Sequence, residues 1–165
     1  MALFGRTPID DPALKQLVGG RRVLASGRTP LGQVLGLAEA LLYSDGTSCH
    51  AVAWHEVDHG GWDQESRTLR WTTVGGTAAS LALTETGRLP DLFNERVTAS
   101  IACVRTVNLA DQGTAVITAR RNLADPSSPL IWRVAPGKGV QPEKANADPV
   151  VAGELARLRA EYDLC

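Results

Sequence analysis

Apolar and polar residues alternate in short runs over the first half of the chain. In the run from Thr68 to Val74, Leu69, Trp71 and Thr73 share one face of an extended chain. Segments rich in Gly, Pro and Asp separate the runs and are typical of turns. The pattern therefore predicts seven short strands of an antiparallel barrel or sandwich. The other six runs are Arg22–Arg28, Gln33–Leu37, Ala40–Tyr43, Cys49–Trp54, Val57–Asp63 and Ala79–Thr84.

Two segments with helical signals flank these strands. A capping aspartate, Pro12 and a terminating Gly19 predict a short helix near the start of the chain. Between Leu89 and Val104, apolar residues recur every three or four positions with Asp91 and Glu95 on the opposite side. We expect this second, amphipathic helix to cover an apolar sheet face or the mouth of a barrel.

The last third of the chain alternates between strand signals and loop signals. Further strands are predicted at Arg105–Leu109, Thr114–Arg120 and Leu130–Ala135. Residues 136–147 have little periodicity and several Gly and Pro residues, which predicts a linker-like crossing. A final helix is expected from Asp148 onward, where apolar residues again form one stripe.

At 165 residues, the chain is long enough for one compact domain with its own core. The signals divide it into an N-terminal helical segment (1–19), a barrel with its capping helix (20–104) and a C-terminal strand and helix extension (105–165). The expected fold class is α+β, mostly β.

Several short segments resemble a known family. They are Arg22-Val23-Leu24-Ala25, Gly36-Leu37, Ala40-Leu41-Leu42-Tyr43, Ala53-Trp54-His55-Glu56-Val57, Trp62-Asp63, Thr68-Leu69-Arg70 and the helical stretch from Leu92 to Ser100. With seven strands followed by one helix, they resemble the bacterial pleckstrin-homology-like domain family of small actinobacterial proteins. The resemblance covers about residues 20–104 and implies a seven-stranded barrel closed by a helix. Relatives use this barrel to bind lipids, peptides or proteins, and the resemblance assigns no catalytic residue.

Binding of an anionic lipid is one alternative that the resemblance raises. Phosphoinositide-binding members place several Lys and Arg residues around the first hairpin. Here Arg28 ends the first strand, but the next strand has Gln33 and Leu35 at the corresponding place. A single arginine is weak support for a site that holds several phosphates.

The overall charge argues against a polyanion partner. The chain has 17 Lys plus Arg and 18 Asp plus Glu, for a formal net charge of −1. Nucleic-acid affinity depends largely on a basic surface, so we expect no nucleic-acid partner. No apolar run is long enough for a membrane span and no signal-peptide pattern is present, which favours a cytoplasmic protein without integral membrane association. The odd number of cysteines favours reduced thiols, at Cys49, Cys103 and Cys165.

One cluster combines a thiol with every histidine of the chain. Thiolate and imidazole are good zinc ligands, so a metal site at Cys49, His50, His55 and His59 is an alternative. On a straight strand, however, His55 and His59 would lie roughly 13 Å apart. The prediction is therefore no metal and no cofactor, with these residues as ordinary strand residues. No catalytic motif is recognisable.

Tryptophans supply most of the large aromatic surface. Trp54, Trp62, Trp71 and Trp132 are expected mainly in the core, although they could also line a peptide groove. The sequence thus predicts a non-catalytic protein- or peptide-binding or scaffold domain, with Trp54, Trp62, Trp71 and Arg28 as candidate binding residues. An exposed strand edge could bind a peptide or pair with a second copy to form a homodimer.

Overall fold

The computed structural model describes residues 7–163, which form a mixed α+β fold that is mostly β. The strands are β1 (Ala25–Thr29), β2 (Gly32–Gly36), β3 (Ala40–Ser44), β4 (Cys49–Ala53), β5 (Val57–Asp63), β6 (Thr68–Thr73), β7 (Ala78–Ala82), β8 (Ile101–Asn108), β9 (Thr114–Arg120) and β10 (Ile131–Pro136). The α-helices are α1 (Pro12–Val18), α2 (Leu89–Ala99), α3 (Pro142–Ala147) and α4 (Pro149–Tyr162), and a 3-10 turn spans Trp54–Glu56. Cys165 lies outside the described residues. Within residues 7–163, no helix has both the length and the apolar character needed to span a bilayer.

The described chain divides into two compact units. The first contains residues 7–100 together with Asn122–Asp125, and the second contains Ile101–Arg121 together with 126–163. Each unit has at least one cluster of buried apolar side chains of its own. The expected α+β class is confirmed.

The first unit contains two antiparallel sheets, with strand orders β1-β2-β3-β4 and β5-β6-β7. An isolated antiparallel bridge pairs Arg28 of β1 with Glu85, which follows β7. Helix α2 contacts β1 and β2 of one sheet, β5 of the other and the 3-10 turn. All seven strands predicted before α2 are present, but the pairing is divided between two sheets and no closed barrel forms among the described residues.

Two glycines allow α2 to lie close to β1 and β2. A Cβ added to Gly27 would come within 2.4 Å of the Glu85 carbonyl oxygen and 2.7 Å of Leu89. A Cβ at Gly36 would lie 2.3 Å from a methyl carbon of Leu92. Any larger residue would push the helix or its side chains away from the sheet, so these positions require glycine.

The two central strands of the four-stranded sheet, β2 and β3, are buried on both faces. One face contributes to the main core around Trp54 and Phe93, and the other packs Leu35, Leu37 and Leu42 against Leu14 of α1. This explains why β2 and β3 are almost entirely buried instead of alternating between buried and exposed residues. The predicted N-terminal helix is confirmed, with the Asp11 side chain accepting a hydrogen bond from the Ala13 N–H and Gly19 in the left-handed conformation at its end.

The second unit is a three-stranded antiparallel sheet of order β10-β9-β8, packed with α3 and α4. Asp148 begins α4 and is buried. Its carboxylate accepts hydrogen bonds from the N–H groups of Val150 and Val151 in the first turn and of Ala110 after β8. One side chain therefore caps the helix and anchors the loop between β8 and β9.

Two predicted elements differ from the structure. The helix expected to continue to Val104 ends at Ala99, and Ile101 and Val104 lie in strand β8. The loop-like stretch 136–147 contains the short helix α3, so the crossing is not wholly irregular. In both places packing against neighbouring elements outweighs local periodicity. Strand β8 pairs with β9 continuously from Cys103 to Asn108, and α3 buries Ala145 completely.

Candidate functional site

An open cavity of about 560 Å³ lies on the outer side of the β5-β6-β7 sheet. Strand pairing arranges its side chains in two rows across the sheet. In one row His59 is opposite Thr72, which is opposite Ala78, and in the other Gly61, Arg70 and Ser80 are aligned. The remaining lining residues are Gly60, Trp71 and Ala79.

Small residues keep this sheet face open. Gly61 faces open space, since an added Cβ would have no atom within 4 Å. Gly60 has the opposite environment, because a Cβ there would lie 2.3 Å from the Arg70 carbonyl oxygen and 2.8 Å from Trp71. With Ala78 at the far side, the cavity has a floor of backbone and methyl groups and is bordered by longer side chains at His59 and Arg70.

The two titratable side chains that line the cavity, Arg70 and His59, differ in how closely they are paired. The Arg70 side chain is 62% exposed, and its nearest carboxylate oxygen, on Asp63, is 3.9 Å away. Asp63 itself accepts hydrogen bonds from the N–H groups of Ser66 and Glu65 in the hairpin turn, and its pKa is lowered chiefly by hydrogen bonds from Ser66. His59 Nδ1 lies 2.8 Å from a carboxylate oxygen of Asp58. The Arg70 guanidinium is thus the charged group at the site that is most accessible to a ligand.

None of the three candidate tryptophans, Trp54, Trp62 and Trp71, presents an exposed ring to this cavity. Trp54 is completely buried, and its indole N–H donates a hydrogen bond of 2.9 Å to the Leu37 carbonyl. Trp71 is 3% exposed and lies beneath the cavity, with its ring in the core near Phe93. Trp62 is partly buried against the same core and donates to Gln64. Trp54 and Trp71 are therefore core residues, as mainly expected, and the alternative assignment of these two to a binding surface is corrected, because both rings fill the core.

Arg28 is held by carboxylates. It donates a hydrogen bond to Asp10 and lies 3.8 Å from a carboxylate oxygen of Glu85. The hydrogen bond to Asp10 is the main reason that the pKa of Arg28 is raised. An anion approaching this guanidinium would have to compete with two carboxylates, so the arrangement does not favour Arg28 as a phosphate ligand.

The thiol and the first histidine of the predicted cluster have separate partners. Cys49 is half-buried, with its sulfur 3.5 Å from an Asp11 carboxylate oxygen, and burial followed by Asp11 raises its pKa. Such a thiol is less ionised than usual, which is unfavourable for nucleophilic attack. His50 stacks on Tyr43 and its Nε2 lies 2.7 Å from Asp45.

The remaining histidines occupy different elements. His55 lies in the 3-10 turn, where burial lowers its pKa and its Nδ1 has no hydrogen-bond partner among the described residues. His59 is on β5 at the cavity. Across residues 7–163, no three side chains of His, Cys, Asp or Glu come together to hold a metal ion. The four residues therefore do not converge as the metal alternative requires.

This sheet face has no recognisable motif in the sequence. Alternation along the strand places Arg70 and Thr72 on the face opposite Leu69 and Trp71, but it does not identify Ser80 and Ala78 as their neighbours, because that requires the strand register. The useful sequence signal is the pair Gly60-Gly61 inside a strand, since glycine weakens strands and often marks a bulge or a close approach. The structure indeed has an irregular register between Val57 and His59.

Comparison of the chain with family models, with curated proteins and with solved structures finds no match.

Proposed function

We propose that the protein is a non-catalytic peptide-binding module, and that its first unit is related to the bacterial pleckstrin-homology-like domains that its sequence resembles, with the strands divided between two sheets. The order of a four-stranded sheet, a three-stranded sheet and one helix supports this relationship. The contacts of α2 with strands of both sheets and the bridge between Arg28 and Glu85 support it further. We also propose a cytoplasmic location, as the sequence suggests.

The observation that carries this function is the open cavity beside an unpaired strand edge. Strand β7 is the last strand of its sheet, and among residues 7–163 no other strand pairs with its outer edge. An edge strand offers backbone N–H and C=O groups to an extended peptide, and a neighbouring pocket receives alternate side chains of that peptide. At β7 the pocket reaches Ala78 and Ser80.

The small residues along β7 favour such a ligand. Ala78, Ser80 and Ala82 are exposed, so no long side chain hinders a strand that approaches the edge. Edges that exclude partners commonly have Lys, Pro or inward-facing charges, and β7 has none of these. The same edge could pair with a second copy of the chain, which would make a homodimer a competing use of the surface.

Bead-bound libraries of random ten-residue peptides provide the test. Labelled full-length protein is expected to be retained by a small fraction of beads, and Ala78→Trp is expected to abolish retention because the indole would fill the cavity. Ala51→Trp is the matched control, since Ala51 is also an exposed strand residue but lies on β4 of the other sheet. Loss of retention in both variants, or no retention of the wild-type protein, would contradict the proposal. Sedimentation of each protein alone distinguishes self-pairing from peptide binding.

A further inference from the structure

We infer that the cavity on the β5-β6-β7 sheet recognises an extended peptide through one of its Asp or Glu side chains, whose carboxylate binds Arg70. This inference rests on the proposed peptide-binding function and specifies the class of peptide.

The first argument is the set of donors that face the cavity. Arg70 and Ser80 are directly opposite each other on β6 and β7, and Thr72 is two residues from Arg70 on the same face. Neighbouring side chains across a sheet have Cβ atoms about 4.5–5.5 Å apart, so one ligand group can reach several of them. No hydrogen bond within the described chain engages the Arg70 guanidinium or the hydroxyls of Thr72 and Ser80. These donors are free to bind a ligand oxygen.

The second argument is charge. The lining residues include one guanidinium and one imidazole and no carboxylate. Asp58 contacts His59, and the acid nearest Arg70 is Asp63, which is engaged by the hairpin turn and lies 3.9 Å from the guanidinium. A carboxylate ligand could therefore approach Arg70 more closely than Asp63 does, and a guanidinium can bind a carboxylate with two parallel hydrogen bonds.

The amount of charge favours a carboxylate over a phosphate. Arg70 is the one permanent cation among the lining residues, and His59 is already in contact with Asp58. A phosphorylated side chain has about −1.5 to −2 charges at neutral pH and is typically held by a cluster of arginines. One guanidinium with two hydroxyls matches a single negative charge.

The backbone explains why a peptide can bring its carboxylate to this point. Gly61 is opposite Arg70 and has no side chain to contact the guanidinium from β5. On the other side, Ser80 belongs to the unpaired edge strand. A peptide added along β7 would direct alternate side chains over this sheet face, where the carboxylate would lie above Ser80 and meet Arg70.

The experiment uses four bead-bound libraries of ten-residue peptides that are identical except for a fixed central residue. That residue is Glu, Gln, Lys or phosphoserine, and the readout is the fraction of beads that retain labelled full-length protein. We expect the Glu library to retain wild-type protein on about fivefold more beads than the Gln library. A factor of about five is near the upper end of what one exposed ion pair contributes to a binding constant. The Lys library should retain the least.

Arg70→Gln is expected to remove the difference between the Glu and Gln libraries. Arg70→Lys should preserve part of the difference, because it retains the charge but not the planar fork. Arg22→Gln is the matched control, since Arg22 is an exposed arginine of the same unit away from the cavity. Thermal unfolding of each variant verifies that the fold is intact.

The outcomes separate this inference from the proposed function. Equal retention by the Glu and Gln libraries, or a preference that survives in Arg70→Gln, would overturn the inference while peptide binding stands. Stronger retention by phosphoserine than by Glu would also overturn it, by identifying a phosphate as the preferred group. If no library retains the wild-type protein, both the inference and the peptide-binding function fail.

Discussion

The two units cover an antiparallel sheet with helices in different ways. In the first unit, large aromatic rings fill the centre, with Trp54 and Phe93 at 87° to each other and 5.8 Å between their centroids. In the second unit, the fully buried residues of the central strand β9 are Ala115, Ile117 and Ala119. Its largest rings, Trp132 and Tyr162, are only partly buried at the side of the core.

The difference shows where each unit makes room for its helices. The first unit places glycines on β1 and β2, so that α2 approaches the backbone itself and the aromatic rings fill the remaining space. The second unit has alanines on β9, which share a buried cluster with Val151 and Leu158 of α4. We expect the first unit to be more sensitive to changes in side-chain volume, because tightly packed interiors tolerate neither cavities nor added atoms.

The largest effect is expected from Trp54→Ala, which breaks the aromatic core of the first unit. Removing a buried aromatic side chain costs about 3–5 kcal/mol of unfolding free energy, and here it also leaves the Leu37 carbonyl without its donor. Urea unfolding gives the total loss, and amide hydrogen exchange locates it. Protection should fall most in β2 to β4, with Trp132→Ala as the matched control in the second unit. Equal loss of protection across both units would contradict the division of the chain into two cores.

Gly27→Ala tests the close approach of α2 to β1. The added methyl group would overlap the Glu85 carbonyl, which is backbone and cannot rotate away, so we expect a loss of about 1–3 kcal/mol of unfolding free energy. Gly61→Ala is the control, because its Cβ meets open space. Both variants are measured by urea unfolding, and a loss as large in Gly61→Ala would show that the cause is not the contact with Glu85.

Asp148 tests the second unit through its helix cap. Burial raises the pKa of this carboxyl, but three backbone N–H groups, on Ala110, Val151 and Val150, outweigh burial and hold it below its ordinary value. Because the folded pKa is lowered, the stabilisation is complete above the ordinary value of about 3.9 and declines as pH falls through the folded pKa.

Two substitutions separate the hydrogen bonds of Asp148 from its charge. Asp148→Ala should lower Tm at neutral pH by about 4–8 °C, since it removes the cap of α4. Asp148→Asn retains a capping oxygen without a titrating group, so its Tm should fall less than that of the wild-type protein between about pH 5 and pH 3. If the Tm of Asp148→Asn and the Tm of the wild-type protein fell in parallel over this pH range, the lowered pKa of Asp148 would be contradicted.

The smallest predicted effect is a gain in stability instead of a loss, and it concerns a glycine of the second unit. Gly153 lies inside α4, where an added Cβ would have no atom within 4 Å. Gly153→Ala should therefore raise the unfolding free energy by about 0.5–1 kcal/mol, because glycine is a poor helix former. Urea unfolding measures this gain. A loss would mean that this glycine, like Gly27, is required by packing.

Most of the local elements could be predicted from the sequence because their signals are short-range. Strand β5 and strand β9 have the bounds that alternation and turn residues predicted, and α4 begins with the predicted Asp148-Pro149 cap. On α4, Arg157 and Glu161 are four residues apart, a spacing that brings helix side chains together, and they form an ion pair at 3.2 Å.

The end of α2 could not be predicted in the same way. Ile101 and Val104 continue the spacing of three and four that defines the helix, and the same spacing is compatible with a strand rich in β-branched residues. Pairing of β8 with β9 decides between them, and that pairing depends on residues that lie beyond the helix in sequence. The candidate site could not be predicted from local sequence for the same reason. Arg70 and Ser80 are ten residues apart in the chain, and only the register of β6 and β7 makes them neighbours.

By itself, the sequence determined the mainly antiparallel α+β class and the places where the chain turns, since these follow from side-chain alternation and from the backbone preferences of Gly, Pro and Asp. The tertiary structure decided which side chains are available for binding. Trp54 and Trp71 are the most conspicuous residues in the sequence, and hydrophobic packing removes both from the surface. Arg70, Thr72 and Ser80 are ordinary polar residues in the sequence, and strand register makes them neighbours on an open sheet face.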